Sequence, residues 1–110
     1  MKEGPDKTPI ACTLKTIELL DREAKLLAPF RSAVIETVEI EDGYAFHLPG
    51  EGKWIRLVAE LIVAERGCCP FLVFEQVLLP DRGPLIVRVT GPVGTNEFLR
   101  TLLFKPDESA

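Results

Sequence analysis

Apolar and polar positions alternate in two rhythms along this chain, one of period near 3.6 and one of period two. Ile17, Leu20, Ala24 and Leu27 recur at three-to-four spacing and predict a helix opening near Thr13, a plausible N-cap, and ending before Pro29. Ala33 to Glu41 predicts a strand with Val34, Val38 and Ile40 on one face, and with Thr37, Glu39 and Glu41 beside Ile35 on the other. Asp42-Gly43 predicts a tight turn, glycine supplying the positive φ such a turn requires. Tyr44 to Leu48 returns with Tyr44, Phe46 and Leu48 on one face and Ala45 and His47 on the other. Lys53 to Arg66 is a helix whose apolar side holds Trp54, Val58, Ile62 and also Glu65. Gly67 suits a left-handed residue just past that helix.

Phe71 to Leu79 is apolar on both faces apart from Glu75 and Gln76, which predicts a central strand. Pro84 to Thr90 alternates Leu85, Val87 and Val89 against Ile86, Arg88 and Thr90. Thr95 caps a last short helix with Phe98, Leu99, Leu102 and Leu103 as its apolar side. The order is α-β-β-α-β-β-α. Two hairpins, each preceded by a helix, predict an α+β domain: a four-stranded antiparallel sheet with helices on one face. Polar residues around Gly4, Pro5 and Pro9 make 1–9 a loose tail, 10–105 the single domain and 106–110 a second tail. The uncovered sheet face keeps Ile35, Ile86 and part of Phe71–Leu79, so a homodimer across that face or at a sheet edge is expected.

Composition narrows the function classes. The formal charge is −4, an acidic balance that argues against nucleic-acid binding by the chain itself and against anionic membrane surfaces. No apolar run approaches membrane-spanning length and the N-terminus lacks a signal-peptide core, so a cytoplasmic protein is expected. Three cysteines, Cys12, Cys68 and Cys69, are an odd count, which predicts reduced thiols rather than a disulfide framework.

Chemistry concentrates at Glu65-Arg66-Gly67-Cys68-Cys69-Pro70-Phe71. Thiolates are soft ligands, and a turn can aim Cys68 and Cys69 at one thiophilic metal or metalloid ion, with Cys12 as a third ligand. Glu65, desolvated on the apolar helix side, is a supporting oxygen ligand or a general base. The bland counterparts are cysteines that pack as small hydrophobes, and a Glu65 that meets Arg66, Arg88 or a backbone amide. A helix C-terminus raises a thiol pKa, which weakens a thiol-enzyme reading with Glu65 or His47 as partner. His47, the sole histidine, excludes a His-rich zinc site. Thr90 to Thr95 lacks the ending of a phosphate loop, and the charges at Asp21, Arg22 and Glu23 read as a solvated helix face.

The run from Glu65 to Phe74, followed by Val89-Thr90-Gly91-Pro92 and Glu97-Phe98-Leu99, resembles a family of small uncharacterised bacterial proteins with an E-R-x-C-C-P-F motif. The same run is similar to C-terminal segments of some MerR-type regulators, a group that often senses metals. No helix-turn-helix precedes it here, so the regulator function does not carry over. The resemblance implies attention to Glu65, Cys68, Cys69 and Cys12, and no activity. The expectation is a non-enzymatic, thiol-based ion-binding protein. The alternatives are an interaction module with structural cysteines and a thiol enzyme.

Overall fold

The chain, as a computed structural model, is described over residues 20–104. Cys12, the cap at Thr13, Ile17 and both proposed tails lie outside those residues. Residues 20–33 are helical throughout and form α1, made of a π-turn at Glu23–Leu27 and an α-helical run at Ala28–Ala33. Strands β1 (Glu36–Ile40) and β2 (Gly43–Leu48) follow, then α2 (Gly52–Cys68). Strands β3 (Val73–Leu78) and β4 (Leu85–Thr90) and the helix α3 (Thr95–Leu103) complete the domain. The sheet is antiparallel throughout, in the order β1-β2-β4-β3. The predicted α+β architecture and element order are those of the structure. No helix among the described residues is long and apolar enough to cross a membrane.

The core forms where the period-two strands meet the helices. Tyr44, Phe46 and Leu48 of β2 lie opposite Val89, Val87 and Leu85 of β4, and all six are buried. Leu27 and Phe30 of α1, Val58 and Leu61 of α2, and Leu99 and Leu103 of α3 pack in the same cluster, which puts all three helices on one face. Phe30 meets Phe46 edge-to-face at 5.4 Å. Burying a side chain of this size stabilises the fold by roughly 1.5–3 kcal/mol.

Four expectations are corrected. The first helix does not stop at Pro29. Proline lacks an amide donor and its ring crowds the preceding turn, and the wider π-turn just before it accommodates both. Arg22 and Leu27, five residues apart, are buried, whereas Leu20 is exposed.

Gly67 is helical, since α2 runs on through Cys68, and Cys69 caps it with φ −126°. At the β1–β2 turn the positive φ, 60°, belongs to Asp42, not Gly43. Gly43 is required for a different reason: a Cβ there would lie 1.9 Å from the Val89 carbonyl oxygen.

β3 is an edge strand, not a central one. Its apolar composition on both faces reflects exposed Val73, Val77 and Leu78 rather than burial. In β1, Val38 lies opposite Ala45 and Ile40 opposite Gly43, on the sheet face away from the helices.

Candidate functional site

Helix α2 presents Val58, Leu61, Glu65 and Cys68 to the core at three-to-four spacing, so Glu65 shares a buried face with apolar side chains. The Cys69 amide donates to the Glu65 carbonyl at 2.6 Å, which holds Cys69 over the last turn. Cys69 precedes Pro70 and leaves helical geometry there, turning its sulfur back toward Glu65. The Leu72 amide then donates to the Cys69 carbonyl at 3.2 Å as the chain turns toward β3.

Glu65, Cys68 and Cys69 converge. The Cys69 thiol donates to Glu65 Oε1 at 3.4 Å, and the two sulfurs lie 3.5 Å apart. One ligand atom from each residue lies within 4.8 Å of the others. Glu65 is 1% exposed, and both cysteines are fully buried.

The fourth member is Arg22 of α1. Its Nη1 donates to Cys68 Sγ at 2.8 Å and stands 3.0 Å from Glu65 Oε2. The two carboxylate oxygens are thereby divided, Oε2 toward the guanidinium and Oε1 toward Cys69. Reading the sequence assigned Arg22 to a solvated face. The expected helix ended before Pro29, which left out Phe30 and Ala33; with them, Arg22, Leu26, Phe30 and Ala33 form one core-facing stripe.

Electrostatics follow from burial. Desolvation raises the Glu65 pKa, opposed by the Arg22 charge and by the bond from Cys69. Burial, followed by the neighbouring Glu65 charge and hydrogen bond, pushes the Cys69 thiol up to about 12, with Arg22 pulling the other way. Cys69 is therefore a protonated donor at neutral pH.

Cys69 carries a free thiol, and Cys68 is disulfide-bonded. This departs from the expectation of a wholly reduced chain, which rested on the odd cysteine count alone. Cys12 lies outside the described residues.

His47 is not part of the cluster. It lies opposite Ile86 on the face away from the helices and 3.8 Å from Glu36, so no Cys–His pair is assembled with the core cysteines. Glu65 meets neither Arg66 nor Arg88 as its cation. Arg88 pairs instead with Glu75 at 2.9 Å on the outer sheet face. Comparison with protein-family models, with curated proteins and with solved structures gives no match.

Proposed function

We propose that the reduced chain is a small binding protein for a soft metal or metalloid ion, held by Cys68 and Cys69 with Glu65 as an oxygen ligand. The spacing of the donors carries this reading. Two thiolates bound tetrahedrally at about 2.3 Å lie about 3.8 Å apart, and a thiolate and a carboxylate oxygen about 3.5 Å apart. The corresponding separations here are 3.5 Å and 3.4 Å. Small adjustments then suffice to close the donors around an ion.

Arg22 supports the arrangement from behind. A group that pairs with the non-ligating oxygen of a carboxylate orients the other oxygen, as outer partners of metal ligands commonly do. Its charge also offsets part of the negative charge that two thiolates and a carboxylate bring into the interior.

Cys68 is disulfide-bonded here, so the ion-binding form is the one in which that bond is reduced. A reducing compartment maintains that form, and cytoplasmic location belongs to the same proposal. So does Cys12 as a third thiolate, and so does the homodimer.

The alternative is an interaction module in which the cysteines only pack. The complete burial of both sulfurs favours it. A thiol enzyme fits less well, because a thiol pushed up to about 12 is a poor source of thiolate at neutral pH.

Titration of the reduced protein with Zn(II), Cu(I), Hg(II) and As(III), beside Cys68→Ser/Cys69→Ser and Cys12→Ser variants, distinguishes these readings. Ion binding that is tight in the wild type and lost in the double variant is expected. Equal, weak binding by both proteins would leave the packing role.

A further inference from the structure

Strand β1 lies at the rim of the sheet, and its inner face is polar where the other strands are apolar. Thr37 stands opposite Phe46 and Glu39 opposite Tyr44, so both sit on the helix side of the sheet. Between these residues and α3 there is a cleft of about 380 Å³, lined also by Val34, Tyr44, Arg100 and Phe104. Asn96 and Arg100 are one turn apart on the same side of α3. Asn96 Nδ2 donates to Glu39 Oε2 at 3.0 Å and to the Gly43 carbonyl at 3.1 Å, which fixes the Glu39 carboxylate without neutralising it. Arg100 places its Cζ 5.9 Å from the Tyr44 ring centroid. Among the described residues, its guanidinium pairs with no carboxylate and Glu39 pairs with no cation. Glu36 also borders the cleft, but it is 3.8 Å from His47 Nδ1 on the opposite sheet face. Tyr44 is 3% exposed, and its hydroxyl has no hydrogen-bond partner among the described residues. A buried hydroxyl left unpaired is costly and calls for an explanation.

We propose that this cleft binds a free amino acid with an apolar side chain, its carboxylate on Arg100, its ammonium on Glu39 and its side chain against Val34 and Phe104. Opposite charges that line one cleft without meeting each other are complementary to a zwitterion. A plain carboxylate would be opposed by Glu39, and a plain amine by Arg100. The ligand carboxylate is also an acceptor of the kind that the Tyr44 hydroxyl lacks. The size agrees, since small-molecule sites run from about 300 to 1,000 Å³ and this cleft lies near the lower end. No residue of the cleft belongs to the cluster of Glu65, Cys68 and Cys69, so the inference stands apart from the ion-binding reading.

Titration of the full chain with L-phenylalanine and L-leucine, followed by amide chemical shifts, tests this. Hydrocinnamate, which lacks the ammonium, and phenethylamine, which lacks the carboxylate, are titrated beside them. Arg100→Gln and Glu39→Gln change exposed side chains, and far-ultraviolet circular dichroism establishes that each variant folds. The expected result is saturable binding of at least one amino acid, weakened about 10-fold or more in each variant and in each analogue. The losses should also pair. Glu39→Gln removes the advantage of L-phenylalanine over hydrocinnamate, and Arg100→Gln removes its advantage over phenethylamine. A variant that merely loosened the fold would weaken all ligands alike. Tyr44→Phe should weaken amino-acid binding several-fold, and unchanged binding there overturns the part given to the hydroxyl. No saturable shift with either amino acid at about 10 mM overturns the site. Binding that both charge variants leave unchanged overturns its place in this cleft. Hydrocinnamate bound as well as L-phenylalanine by the wild type overturns the zwitterion as its ligand.

Discussion

Arg22 Nη1 stands 3.0 Å from Glu65 Oε2 in the interior, an ion pair that ties α1 to the last turns of α2. Both side chains are buried, so neither charge has water to fall back on. The pair matters less for its own stability than for what remains when one member is lost. Arg22→Met should destabilise the fold by roughly 3–5 kcal/mol, because an uncompensated carboxylate stays buried. Glu65→Gln should cost a comparable amount, because it leaves the buried Arg22 guanidinium without its counter-charge. Arg22→Met/Glu65→Met should recover much of the first loss. Urea unfolding of the three variants measures this, and a double variant as unstable as the sum of the single ones would contradict the pairing.

The Cys69 thiol gives a pH signature. Its folded pKa, raised from 9.0 to about 12, lies above the unfolded value. Between those values the unfolded chain loses the proton and the folded chain keeps it. Stability carried by this group is complete below about pH 9 and falls as pH rises toward 12, by on the order of a few kcal/mol. Other groups titrate in the same window, so the reduced wild type is compared with Cys69→Ala, and the difference in slope is the readout. Equal slopes would contradict a buried, protonated Cys69. Glu65 has the same sign at lower pH. Its raised pKa favours folding at acid pH and works against it as pH rises above the ordinary carboxylate value of 4.5.

Two glycines separate backbone crowding from helix propensity. Gly43→Ala would place a Cβ 1.9 Å from the Val89 carbonyl oxygen, within the paired β2–β4 ladder, and should destabilise by about 2 kcal/mol or more. A Cβ at Gly67 meets nothing within 4 Å among the described residues, on an exposed helical position, and Gly67→Ala should stabilise by about 0.5–1 kcal/mol. Thermal unfolding shifts of opposite sign are expected. A loss of stability from Gly67→Ala would mean that α2 ends earlier than Cys68.

The elements that were legible in the sequence are those whose pattern has one cause. Tyr44, Phe46 and Leu48 alternate because a single sheet face is buried, and the face they predict is the observed one. Glu65 was legible as a core-facing carboxylate from helical projection alone. β3 was misread because an apolar strand has two causes, a central position or a sticky edge, and composition does not distinguish them. Arg22 was missed because the helix was ended before Pro29, which hid the stripe Arg22 shares with Leu26, Phe30 and Ala33, and because Asp21, Arg22 and Glu23 read as one charged run. The left-handed residue assigned to Gly67 failed because an exposed glycine is also tolerated inside a helix fixed by its buried neighbours Glu65 and Cys68.

The central claim is that Cys68, Cys69 and Glu65 close around one soft ion when the chain is reduced. X-ray absorption on the reduced protein loaded with one equivalent of Zn(II) tests it most directly. The account calls for at least two sulfur scatterers at about 2.3 Å and an oxygen shell near 2.0–2.2 Å, with the sulfur shell lost in Cys68→Ser/Cys69→Ser. A shell of oxygen and nitrogen alone in the wild type would contradict it.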